Sequence, residues 1–322
     1  MIMNTNPSKF PLKDLLTVLG TLVFGFFYFL SLNFITLGDT QSSIIGAIIV
    51  SCILGGLAFG AKMLKSTSRN FQTCRIGEWA MLFLFIVIAF FSLKPFSHYF
   101  AISAEKEEIQ QIVLSNITQA SGLYDDYESY ADMRIDNYRN RLESAVKAHQ
   151  KNVSDVAYRA LGFVSGTNDN NQMENKMLSL QIELYPSNYS QKKQVDSVWL
   201  SNAEEQVKEW SPTGIVKIVN TLKAEIETWN EQLKSYSSYR ADGENEGIAT
   251  FNRRTNIDDV SNKFTKSTNP TPFGVIIAML LYLLMMLSYL ISKRHTKNPL
   301  TLLGQRKTMK DAGVDIPERI YR

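Results

Sequence analysis

Three histidines and two cysteines are all that a chain of 322 residues offers to the chemistries that depend most on those side chains. His98, His149 and His295 lie in three separate regions. There is no His-x-x-x-His or Cys-x-x-Cys pair, no glycine-rich phosphate loop and no Gly-x-Ser-x-Gly turn. Zinc hydrolysis, dithiol redox chemistry, nucleotide-loop chemistry and elbow-type serine hydrolysis therefore have no motif here. No cofactor, metal or catalytic residue is expected, and the chain reads as a non-enzyme. Cys52 and Cys74 both fall before the polar middle of the chain, which must fold without disulfides or a cysteine-based metal site. Strand-type alternation and fixed-period repeats are missing as well, which leaves helices.

Charge is missing too, in four stretches. No charged residue occurs from Leu15 to Gly38, from Thr40 to Ala61, from Trp79 to Leu93, or from Phe273 to Ser292. At ~1.5 Å per residue, about 20 residues cross a hydrocarbon core of ~30 Å. Within hydrocarbon the backbone must satisfy its own hydrogen bonds, so these stretches are expected to be transmembrane helices. Lys9 and Lys13 precede the first stretch in the manner of a signal peptide. Its uncharged run exceeds the roughly 7–15 residues of a signal-peptide core, and no Ala-x-Ala site follows, so it reads as an uncleaved signal anchor.

Basic residues set the expected orientation. Lys9 and Lys13 precede the first span; Lys62, Lys65, Arg69 and Arg75 separate the second and third; Lys293, Arg294 and Lys297 follow the fourth. All three clusters fall on one side of a four-span arrangement, which predicts cytoplasmic termini. The expected organisation is a cytoplasmic N-terminus at 1–14, spans at 15–38 and 40–61, a basic cytoplasmic loop at 62–77 and a third span at 78–98. An extracytoplasmic domain follows at 99–270, then a fourth span at 273–292 and a basic cytoplasmic tail at 293–322. Residues 95–270 carry 19 Lys and Arg against 25 Asp and Glu, so the net charge of +3 hides +9 on the rest of the chain. Positive charge this close to membrane ends faces anionic lipid, and no nucleic-acid partner is expected.

The polar middle has helical periodicity. Tyr124, Tyr127, Ala131, Ile135, Tyr138, Leu142, Ala145, His149, Val153, Val156, Ala160 and Phe163 step by three or four residues. The helical pattern runs from Ile102 to Phe163 with one break near Gly122, and this stripe predicts a helix about 60 Å long. Met173, Met177, Leu180 and Leu184 predict a short helix ended by Pro186, and Val195, Trp199, Ala203, Val207 and Trp210 another. Ser211 and Pro212 read as the cap and first-turn proline of a third. There Ile215, Val219, Leu222, Ile226, Trp229, Leu233 and Tyr236 form a heptad seam, expected to pack antiparallel inside the chain. Residues 241–247 read as a break, and Phe251, Val260 and Phe264 as a final weak helix. The fold class expected is all-α: a polytopic membrane protein with four transmembrane helices in a 3+1 arrangement. A large helical-bundle or coiled-coil-like domain stands between helices 3 and 4.

A few residues invite a functional reading. The third span is short, about 22 Å if only uncharged residues count, so Glu78 or Lys94 must lie at or inside the apolar slab. Glu78 either pairs with Arg75 at the inner surface or faces a bundle interior as an ion or proton site; Lys94 snorkels. Gly56 and Gly60 form a Gly-x-x-x-Gly step suited to helix packing, with Ser51 and Gly55 on an adjacent face. Tyr282 needs a hydrogen-bond partner inside the membrane. Asp125, Asp126, Glu128, Asp132 and Asp136 lack the glycine and spacing of a calcium loop and read as a solvated helix face. The basic stretch after residue 293, with Arg306, Lys307 and Lys310 beside Leu300, Leu303 and Met309, suits a membrane surface or a partner.

The function expected is a membrane scaffold or interaction protein within a cell-envelope complex. Its partners are the lipid bilayer and a protein partner or second copy met through the outer domain or the spans. The alternatives are an oligomeric channel or transporter gated by that domain, and a transmembrane sensor. A bacterial inner membrane with a periplasmic domain is the expected setting; in a eukaryotic secretory pathway the Asn-x-Ser/Thr sequons at Asn116, Asn152 and Asn188 would matter.

Overall fold

The computed structural model describes residues 12–67, 71–238, 242, 257–266 and 269–293. Lys9, Arg69, Phe251, Arg294, His295, Lys297, the 300–310 segment and most of the 241–247 break lie outside the described residues. Among the described residues every regular element is a helix. The chain divides into two compact units: Met1–Glu105 with Lys263–Arg322, and Lys106–Asn262.

The first unit contains four helices long and apolar enough to cross a membrane: α1 (Leu12–Ile35), α2 (Thr40–Ser66), α3 (Phe71–Ala104) and α10 (Pro272–Ile291). This is the construction of an integral membrane protein. Asp39 caps α2 by accepting the Ser42 amide, and Thr271 caps α10 by accepting that of Gly274. All four helices touch one another around Phe24, Leu54, Phe85, Phe96, Tyr282 and Met285. The Phe24 and Phe96 rings stack at 4.9 Å. Large apolar side chains such as Leu22, Ile48, Phe83 and Phe90 point away from this core, which suits acyl chains and not water.

Two boundaries differ from the uncharged runs. α2 continues to Ser66 and α3 begins at Phe71, so Lys62, Lys65 and Arg75 ride on helices. α3 also runs on through Lys94 and Pro95, because charge at a span's ends does not break helical hydrogen bonding.

The second unit is built on α4 (Lys106–Gln150), followed by α5 (Val156–Ala160), α6 (Asp169–Leu184), α7 (Tyr189–Glu209) and α8 (Pro212–Ser237). α9 (Ile257–Thr265) straddles the division between units. Ser211 caps α8 by accepting the Gly214 amide, and Pro212 occupies its first turn. Ile215, Val219, Leu222, Ile226, Trp229 and Leu233 are buried, and α8 lies against α4, α6 and α7. Each such side chain contributes about 1.5–3 kcal/mol relative to exposure.

Gly122 does not interrupt α4, which stays continuous for 45 residues. A single glycine costs ~1 kcal/mol, less than the flanking stripe supplies by burial. The stripe instead ends earlier than its periodicity implies. Asn152 adopts φ 55°, with its amide donating to the His149 carbonyl and that of Val153 to Ala148. This is a Schellman stop with asparagine in the left-handed position. Val153 and Val156 are consequently exposed, while Tyr158 and Phe163 fold back into the core after the turn.

Candidate functional site

At one end of the first unit, polar side chains from all four spans meet. Asp14 lies in the first turn of α1, where the positive end of the helix dipole favours a carboxylate, and Glu78 lies about two turns into α3. Lys62 and Lys65 lie near the end of α2, where a cation is favoured, three residues apart and so on one side. Ser288 and Tyr289 lie in the last turn of α10. Alternation of helix direction brings these two starts and two ends together.

The contacts form a double clamp on α10. Ser288 Oγ and Lys62 Nζ both donate to Asp14 Oδ1. Tyr289 Oη donates to Glu78 Oε1 at 2.7 Å, while Lys65 Nζ donates to the Tyr289 carbonyl at 2.8 Å and lies 4.5 Å above its ring. Ser292 Oγ donates to the Ser288 carbonyl at 2.5 Å and accepts from Lys13 Nζ at 3.2 Å. Asp14 is 7% exposed and Glu78 1%. A buried carboxylate with no partner would be costly in so apolar a setting, and here each is held by a neighbouring span. Chemically the site is a tie: it fixes the end of α10 to α1, α2 and α3.

The other residues singled out from the sequence go elsewhere. Lys94 is exposed and lies 16 residues after Glu78 on α3, about 24 Å along the axis, so the two are not brought together. Tyr282 finds its partners within the bundle, donating to the Ala89 carbonyl at 2.9 Å with Ser92 Oγ also at 2.9 Å. A Cβ on Gly60 would stand 2.6 Å from Met81 Sδ, so this glycine lets α2 and α3 close together. Gly56 faces open space, and the close approach of α2 to α1 is made by Gly55, whose Cβ would meet Thr21 at 3.0 Å.

In the second unit acidic side chains along α4 are taken up by contacts across helices and within α4. Lys193 reaches Asp125 at 3.3 Å and Glu128 at 2.8 Å, Tyr185 Oη donates to Asp132, and Arg139 pairs with Asp136. No group of three or more His, Cys, Asp or Glu able to hold a metal occurs among the described residues. His149 Nδ1 lies 2.7 Å from Asp155 Oδ1 and its ring stacks on Tyr158 at 3.9 Å; the imidazole beside Asp155 lowers that carboxyl's pKa. His98 Nε2 meets the Phe264 carbonyl at 2.7 Å. Burial raises the pKa of the Tyr124, Tyr127, Tyr185 and Tyr189 hydroxyls, and hydrogen bonds to carboxylates add to it for Tyr124, Tyr185 and Tyr189.

Asp14, Ser288 and Tyr289 were not singled out from the sequence, and Lys62 was read there only as part of a basic cluster. Their one signal is position: each is a polar residue within two turns of an end of an apolar helix, all at the basic end. A comparison with protein-family models, curated proteins and solved structures finds no match for this chain.

Proposed function

We propose that the protein is a non-enzymatic membrane scaffold or interaction protein of the bacterial inner membrane. In this reading both termini are cytoplasmic, and the α4–α8 unit is a periplasmic, coiled-coil-like bundle that meets a protein partner. The carrying observation is the clamp: the buried Asp14 and Glu78 carboxylates are engaged by neighbouring spans, as in an anchor held rigid. Gentle extraction from native membranes, crosslinking and sizing should recover a stable complex. A lone monomer that crosslinks to nothing would end this reading.

A second reading, as a transmembrane sensor, is favoured by what the clamp grips. α10 is the return helix from the polar domain, and its final turn, just before Lys293, is the part tied down by three other spans. Displacement of α10 would have to break these contacts. Loss of a downstream response on removing residues 294–322, with insertion intact, would favour the sensor; an unchanged response would leave the passive anchor.

A further inference from the structure

α4 and α6 run antiparallel in the second unit, and the seam between them is open along one side. Two adjoining cavities of 510 and 460 Å³ share Arg139 and Gln181, so they form one groove. It extends from Asp132 to Glu143 along α4, about 17 Å or three helical turns. Ile135, Met173 and Met177 lie at its base, and its exposed apolar surface is the α6 edge, where Leu178 and Ile182 are 52% and 58% exposed. Its rim is acidic: Asp132, Asp136, Glu143 and Glu174 line it, against a single lining cation. That cation, Arg139, is already held by Asp136 at 3.0 Å.

The geometry points to a docking groove for an amphipathic helix of about three turns with a cationic flank, supplied by a partner protein. The exposed Leu178 and Ile182 edge takes apolar residues spaced i, i+3, i+4 and i+7, and the acidic rim selects lysine or arginine beside them. Charge decides the occupant. An acidic helix would fit the same groove but would meet Asp132 and Glu174, whereas Asp136 and Glu143 are already paired with Arg139 and Lys147, so like-charge repulsion disfavours it. This rests on the interaction reading above and gives its partner a chemistry.

The test uses the full chain in nanodiscs of zwitterionic lipid, with empty nanodiscs as the blank. The probe is a fluorescein-labelled synthetic peptide of three to four helical turns, leucine at i, i+3, i+4 and i+7 and lysine elsewhere. Its counterpart carries glutamate in place of lysine. The lysine peptide should bind with saturable anisotropy that weakens with salt, and the glutamate peptide should bind at least about tenfold less tightly. Asp136→Lys with Glu174→Lys, and separately Ile182→Ser, should each weaken the lysine peptide about tenfold or more while circular dichroism stays unchanged. Equal binding of both peptides, or wild-type affinity in both variants, overturns the proposal. If crosslinking in native membranes still finds a partner in that case, the interaction reading survives and the groove does not.

Discussion

The Asp14–Lys62 contact sets up a sharp test of how the spans are held. The two side chains are 8% and 16% exposed and in direct contact, with Ser288 as second donor to the same oxygen. Opposite charges ~4 Å apart attract by about 4 kcal/mol at an effective dielectric constant of ~20, before desolvation is subtracted. Removing one partner of a fully buried pair costs about 3–5 kcal/mol, chiefly because the other charge is left uncompensated. Lys62→Met leaves Asp14 buried, and since protonation limits the penalty, a loss of about 2–3 kcal/mol is expected. Asp14→Asn leaves Lys62 near a helix end, where its stem can carry the ammonium outward, so about 1–2 kcal/mol is expected. The double variant replaces both charges and should lie within about 1 kcal/mol of wild type. A double-mutant cycle by detergent-driven unfolding in bicelles, read by proteolysis of the first unit, measures the coupling. Coupling below about 0.5 kcal/mol, or a double variant as unstable as Lys62→Met, would refute the clamp as a tie between spans.

Three further outcomes follow from the same contacts. Gly60→Leu should destabilise the first unit by about 1–3 kcal/mol through overpacking against Met81, while Gly56→Leu should be close to neutral in the same unfolding assay. Tyr124, Tyr127, Tyr185 and Tyr189 hold their protons more tightly folded than unfolded. Their contribution is therefore complete below the unfolded value of about 10 and is lost as pH rises through the folded values, so helicity of the second unit should fall steeply above about pH 10 by circular dichroism. In a eukaryotic secretory system, Asn152 and Asn188, which are exposed at turns, should accept glycans, while Asn116, 2% exposed within α4, should not; mobility after glycosidase treatment reads both accessibility and sidedness.

The helices were legible because their periodicity is strong, and their errors have local causes. The stripe on α4 reads correctly through Ala145, but three- and four-residue steps continue past Gln150 into Val153 and Val156, which the structure leaves exposed. Nothing in apolar spacing reveals that Asn152 turns left-handed and ends the helix; that depends on two amide–carbonyl contacts with the preceding turn. On α7 the spacing favours Val195, yet Val195 faces outward and Asp196 faces inward. Tyr124 explains the exchange, since its buried hydroxyl needs an acceptor and Asp196 supplies one from the opposing helix.

The sequence by itself determined the number of spans and the all-helical class, because long uncharged runs and 3.6-residue periodicity are properties of a single segment. Which polar residues meet was decided only in three dimensions. Glu78 and Lys94 are near neighbours in sequence yet sit at different ends of α3, whereas Asp14 and Ser288 are 274 residues apart and share a hydrogen bond. Burial of a charge at the end of a span is tolerable only where a partner from another helix arrives, and that arrival is a consequence of how four helices pack.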